Sequence, residues 1–143
     1  MIPEINYWAV LLATVAAMVI GSTWYTPKVF GTRWMKLAKV APPTSSASAW
    51  LPILVSIVLA FLLAWVLAGA VTSGWHFYGG SYLSASIVTA LTLWAGLTAG
   101  RIITHDVFEG RPTQLTVLTL GYELVIVLVM SVIIGVWPPA GTV

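Results

Sequence analysis

The chain has 143 residues, of which six are Lys or Arg and four are Asp or Glu, with no Cys. Charged residues make up 7% and hydrophobic ones 59%, at a mean hydropathy of +0.99. A soluble domain carries about a quarter charged residues, so a soluble globular domain is excluded and an integral membrane protein remains; the missing Cys excludes a disulfide scaffold, a thiolate metal site and a Cys nucleophile.

A membrane-crossing helix needs about 20 apolar residues. Residues 5–25 form the first such span and contain no charge. Glu4 stands where a signal peptide has basic residues, so this span is expected to be retained. After Pro27, residues 28–40 read as a short amphipathic helix: Phe30, Trp34 and Leu37 share one face, and Lys28, Thr32, Lys36 and Lys39 the other. Such a helix lies at the membrane surface with its lysines toward anionic lipid. Residues 41–48 (Ala-Pro-Pro-Thr-Ser-Ser-Ala-Ser) read as a flexible polar linker. The second span covers 50–73, uncharged; the third covers 81–104 and holds Arg101 near its end. A turn with His105, Asp106, Glu109 and Arg111 leads to the fourth span, 115–137, which holds only Glu123. No run alternates apolar and polar residues as barrel strands do. The expectation is an all-α membrane protein in one domain of 1–143: four transmembrane helices with a short interfacial amphipathic helix between spans one and two.

Lys28, Arg33, Lys36, Lys39, Arg101 and Arg111 all fall on one side of such a bundle. The positive-inside rule makes that side cytoplasmic, with both termini outside a bacterial inner membrane. The cations thus serve topology and do not point to nucleic acid. Tyr7, Trp8, Trp75, Phe77, Tyr78, Tyr82 and Trp137 form the expected outer aromatic belt, and Trp24, Tyr25, Phe30, Trp34, Trp50 and Phe108 the inner one.

Helix association in lipid relies on close approach through small residues. Such seams run along Ala9, Ala13, Ala17 and Gly21; along Ser56, Ala60, Ala64 and Ala68; and along Thr92, Gly96, Gly100 and Thr104. Span four has only Ser131 and Gly135, so it is expected to pack less closely. The surplus of seams favours a homo-oligomer. The pentapeptides at 29–33 (Val-Phe-Gly-Thr-Arg) and 107–111 (Val-Phe-Glu-Gly-Arg) hint at a parallel internal repeat, over a very short match.

The patterns Asn6-x-Trp8, Gly21-x-x-Trp24-Tyr25-x-Pro27, Phe30-Gly31-x-x-Trp34-Met35, Phe108-Glu109-Gly110-Arg111, Gly121-Tyr122 and Gly135-x-Trp137 resemble a family of small bacterial four-span membrane proteins of unknown function. The resemblance covers nearly the whole chain. It implies a four-helix fold and no particular activity, and Thr119-Leu120 and Glu123 depart from its pattern.

Glu123 is the sharpest chemical feature, because an ionised carboxylate in hydrocarbon must be protonated, paired or set in a polar cavity. Arg101 is the candidate charge partner; Trp94, Thr98 and Thr14 are candidate hydrogen-bond donors. A neutral, hydrogen-bonded Glu123 acting as packing glue is the plainer expectation. In the cluster His105, Asp106, Glu109 and Arg111, the acids are expected to pair with arginines and cap helix ends, without metal-ligand spacing. No phosphate loop, Gly-x-Ser-x-Gly or His-Glu-x-x-His is present, so neither an enzyme nor a cofactor is expected. The leading expectation is a structural or accessory bundle that forms a homo-oligomer. The alternative is a proton- or cation-coupled transporter or channel using Glu123, with Arg101, Tyr122 and Thr98 along its route. A third reading binds anionic lipid through Lys28, Arg33, Lys36 and Lys39.

Overall fold

A computed structural model describes residues 3–41 and 50–142. Among these the chain forms α1 (Tyr7–Trp24), α2 (Gly31–Ala38), α3 (Trp50–Tyr78), α4 (Tyr82–Leu93), α5 (Gly100–Phe108) and α6 (Thr113–Val136). A π-helical stretch, Trp94–Ala99, joins α4 to α5 without a break. Four rods are long and apolar enough to cross a membrane: α1, α3, the Tyr82–Phe108 rod and α6. The protein is therefore an all-α, multi-pass membrane protein with a short helix between its first two spans. Most of the expected 41–48 linker lies outside the described residues.

Several termini of these helices have a local cause. The Asn6 side-chain oxygen accepts from Trp8 N at 3.0 Å and Ala9 N at 3.3 Å, which caps α1. Gly79 and Gly80, at φ 71° and 86°, make the tight turn between α3 and α4 that only glycine adopts freely. Gly110 (φ 64°) ends α5 and Pro112 leads into α6. The amphipathic helix is shorter than 28–40 because residues 26–30 turn sharply first. Gly31 N donates to Thr26 O at 2.8 Å, and a Cβ on Gly31 would meet Tyr25 O and, at 2.8 Å, Thr26 O. The two similar pentapeptides adopt different structures: 29–33 enters a helix at buried Gly31, whereas 107–111 leaves one through left-handed Gly110. The pentapeptide match therefore does not mark a structural repeat among the described residues.

α1 and α4 each pack against both α3 and α6, so the four rods form a ring. The core is Val10, Ala13 and Ala17 of α1, Ala64, Leu67, Ala68 and Val71 of α3, Tyr82 and Ala90 of α4, and Ile126, Val127, Met130 and Ile134 of α6. The α1 seam and the second half of the α3 seam pack as expected. Two other expectations are corrected. α6 is not loosely packed: Gly135 is buried, and a Cβ there would lie 2.8 Å from Leu83 Cδ1 and 3.0 Å from Leu83 Cα. Ser86 Oγ donates to Ser131 O at 2.6 Å across the same α4–α6 contact. Conversely, Thr92, Gly96, Gly100 and Thr104 are all exposed. The buried side of this rod runs Tyr82, Ser86, Ala90, then steps five residues from half-buried Trp94 to Ala99, and ends at Asp106. The wide π turn makes that five-residue step and turns the Gly-x-x-x-Gly stripe outward.

The two ends of the ring differ. At the end holding both termini, Asn6 Nδ2 donates to Trp137 O at 3.2 Å, and Thr72 Oγ1 lies 3.0 Å from Glu4 O and 2.9 Å from Tyr82 Oη. Tyr82 is thus a core residue, 7% exposed, and not part of the aromatic belt. At the other, basic end, residues 50–59 of α3 are all exposed.

Candidate functional site

The exposed first half of α3 stands off from α1 and α6, and the gap between them is a crevice. Its deeper part, of about 270 Å³, is lined by Ala17 and Met18 of α1, Ser56, Leu59, Ala60 and Leu63 of α3, and Tyr122, Glu123, Ile126 and Met130 of α6. A cleft of about 510 Å³ adjoins it toward the basic end and shares Ala17, Met18, Ser56 and Tyr122 with it. Gly21, Ser22, Tyr25, Trp34, Pro52 and Ile53 complete that outer part.

Small residues shape both levels. Ala17, Ala60 and Gly21 leave room where larger side chains would close the gap. A Cβ on Gly21 would sit 2.9 Å from Tyr122 Oη, so Gly21 is what lets the Tyr122 hydroxyl lie against α1. Aromatic rings hold the mouth in place. Tyr122 meets Tyr25 edge-on with centroids 5.0 Å apart, and Tyr25 meets Trp34 edge-on at 5.3 Å. On its other side Tyr122 packs near Trp24, which stacks obliquely on Phe30 at 4.5 Å. These rings carry a negative face that attracts cations.

Glu123 lies about 15 Å along α6 from Thr113, at 1.5 Å per residue. It is part-buried, and among the described residues no hydrogen bond or ion pair reaches its side chain. The expected partners are elsewhere. Arg101 is exposed on α5 and lines neither part of the crevice. Thr14 Oγ1 donates to Val10 O of its own helix at 2.8 Å. Thr98 lies in the π stretch away from the crevice, and Trp94 Nε1 is buried without a partner among the described residues. The structure therefore brings Tyr122 together with Glu123 and separates Arg101 and Thr98 from them. Glu123 lines the crevice and, among the described residues, engages no donor.

Sequence reasoning missed Met18, Ser56, Tyr25 and Trp34 as crevice residues. The two aromatics were assigned to a belt by their position, and nothing in the sequence distinguishes a ring that faces lipid from one that faces a cleft.

In the polar cluster both acids pair with Arg111 and, among the described residues, neither pairs with Arg101 or caps α6. Asp106 Oδ2 accepts from Thr116 Oγ1 at 2.6 Å, tying α5 to the first turns of α6. Arg111 Nε lies 2.6 Å from Glu109 Oε2 and 3.7 Å from Asp106 Oδ1. His105 is exposed and stands apart from that pairing, and no group of three or more potential metal ligands assembles among the described residues. In and beside α2, Lys28, Arg33, Lys36 and Lys39 are all exposed at the basic end, with Phe30, Trp34 and Leu37 half-buried. Arg33 Nη2 donates to Gln114 Oε1 at 3.3 Å, which links this helix to α6.

Comparison with curated proteins and with solved structures finds no match. A family model described as "Protein of unknown function (DUF1761)" matches residues 8–135, from the start of α1 to the end of α6. The matched stretch takes in every residue of the crevice, and the chain belongs to this family.

Proposed function

We propose that the protein binds an organic cation in the crevice between α1, α3 and α6 and carries it across the membrane in exchange for a proton on Glu123. The observation that carries this reading is a carboxyl group deep in a spanning helix, on an open crevice, with no partner among the described residues. A lone carboxylate in hydrocarbon is costly. It lowers that cost by taking up either a proton or a cation. One charge cannot hold both, so arrival of the cation expels the proton, and this competition couples the two movements. The faces of Tyr25, Trp34 and Tyr122 favour a cation that carries apolar groups. On this reading the protein is a carrier and not an enzyme. The gathering of the basic residues at one end supports a cytoplasmic mouth, with both termini outside a bacterial inner membrane.

The test uses liposomes containing the purified protein and an entrapped pH dye, acidic inside. Adding tetrapropylammonium outside is expected to drive protons out and raise the internal pH. Glu123→Gln should reduce that signal to the level of protein-free liposomes, while Glu123→Asp keeps part of it. Absence of the signal from the wild type, or an equal signal from Glu123→Gln, overturns the proposal.

A second reading, a homo-oligomeric accessory bundle, is favoured by one observation. The stripe Thr92, Gly96, Gly100 and Thr104 is exposed, and a Cβ on Gly96 would meet nothing within 4 Å. A smooth surface of this kind suits a neighbouring helix.

A further inference from the structure

A second cavity lies on the far side of the Tyr122 aromatic cluster. It is a cleft of about 380 Å³ between α2 and α6 at the basic end, and it shares no lining residue with the Glu123 crevice. Its walls are apolar: Trp24, Phe30, Val117, Leu118 and Gly121. Polar groups occur only where Arg33, Thr113 and Gln114 meet it. A Cβ on Gly121 would lie 3.7 Å from the Trp24 ring, an ordinary contact distance, so the indole packs against α6 here. Val117 is 63% exposed, so the apolar wall continues into the lipid-facing surface of α6.

The electrostatics of the polar side have one sign. The segment 28–39 holds four cations and no acid. The nearby acids are already engaged, Asp106 by Thr116 and Arg111, and Glu109 by Arg111. No side chain caps the first turn of α6, whose residues Thr113 and Gln114 line the cleft, so the positive end of the helix dipole adds to Arg33. Trp24 contributes an indole N–H that is buried and without a partner among the described residues.

An apolar slot that runs on into the bilayer, with a guanidinium and a helix N-terminus at its polar side, has the chemistry of an anionic amphiphile. The geometry points to a single anionic phospholipid of the surrounding leaflet, its acyl chain against Trp24, Val117 and Leu118 and its phosphate on Arg33 and Gln114. The guanidinium suits phosphate because it offers two parallel donors. A free phosphate ion would leave the apolar walls uncovered, so the lipid is the occupant. This site is independent of the Glu123 reading and does not need it.

The protein is exchanged into detergent micelles holding equal amounts of dioleoyl phosphatidylglycerol and dioleoyl phosphatidylethanolamine, then released for native mass spectrometry. One phosphatidylglycerol per chain should be retained over phosphatidylethanolamine by about tenfold, the scale of one charge-assisted hydrogen bond. Arg33→Gln should remove that preference. Lys36→Gln, an exposed cation on the same helix but outside the cleft, should keep it. Equal retention of the two lipids by the wild type overturns the site, as does a preference that survives Arg33→Gln. An equal loss in Lys36→Gln would reduce it to general surface charge and so also overturns it. Excess inorganic phosphate should not displace the lipid; displacement would sink the phospholipid assignment.

Discussion

Gly135 and Gly96 are both glycines inside spanning rods, yet they stand in opposite surroundings. At Gly135 the α4 backbone is so close that an added Cβ would sit 3.0 Å from Leu83 Cα and 3.1 Å from Ser86 Cβ. Backbone cannot swing aside as a flexible side chain can. Gly135→Ala should therefore push α4 from α6 and strain the Ser86–Ser131 hydrogen bond, at a cost of about 1–3 kcal/mol. Gly96→Ala meets open space within one chain, and its effect on unfolding of the monomer should stay within about 0.5 kcal/mol. Thermal unfolding of the two variants in the same detergent checks the pair. Equal midpoints would mean that the α4–α6 contact is not as close as described. Glu123 belongs to the same scale: its position was legible because a charge is rare in such a sequence, but its surroundings were not. Arg101 has the right charge and the wrong face, exposed on α5, so charge matching alone chose a partner that the fold keeps apart.

The π stretch Trp94–Ala99 decides which face of its rod is buried. An extra residue in one turn offsets everything after it, so Asp106 reaches Thr116. Deleting Leu97 should restore regular α-helix and leave α5 on the same face, because Trp94 to Ala99 then becomes the four-residue step that an α-helix makes. The Asp106–Thr116 bond would then be kept. Thr116→Val should cost about 1.5–3 kcal/mol in the parent chain, as a hydrogen bond to a charged group does, and the same in the deletion background. Chemical unfolding of the four proteins forms a double-mutant cycle; a cost that vanishes in the deletion background would contradict the role of the π turn. This element also marks where sequence reading runs out. The spans themselves were legible, since crossing lipid requires about 20 apolar residues whatever their order. Their inward faces were not, because lipid and protein interior are equally apolar and leave no amphipathic signature. Small-residue spacing stood in for that signature and succeeded for Ala13 and Ala17, where the helix is regular. It failed for Gly96 and Gly100, where a wide turn breaks the four-residue spacing that the rule assumes.

At the scale of the whole molecule, the spanning helices differ in length. α1 has 18 residues and α3 has 29, about 27 Å and 44 Å at 1.5 Å per residue. A hydrocarbon core is about 30 Å thick, and a longer helix fits it by tilting. At the end holding the termini, Thr72 joins α3 to Tyr82 and to the Glu4 carbonyl, which pins the tilted rod there. Its other half then diverges from α1 and opens the crevice on which Glu123 lies. Among the described residues that divergence leaves the first half of α3 without cover, as the π turn leaves the Gly96–Gly100 stripe. A second copy related by a two-fold axis is the simplest cover, because residues near such an axis meet their own counterparts. The chain has no native cysteine to confuse the measurement. Thr104→Cys, on the stripe, should form a disulfide-linked dimer under mild oxidation in native membranes, since paired Cα atoms must come within about 7 Å. Val19→Cys is a control at a residue 59% exposed on α1, and it should remain monomeric. Gly96→Leu in the Thr104→Cys chain should weaken the cross-link by filling the smooth surface. A dimer from Val19→Cys but none from Thr104→Cys would move the interface to α1. The stripe on the Tyr82–Phe108 rod would then face lipid alone.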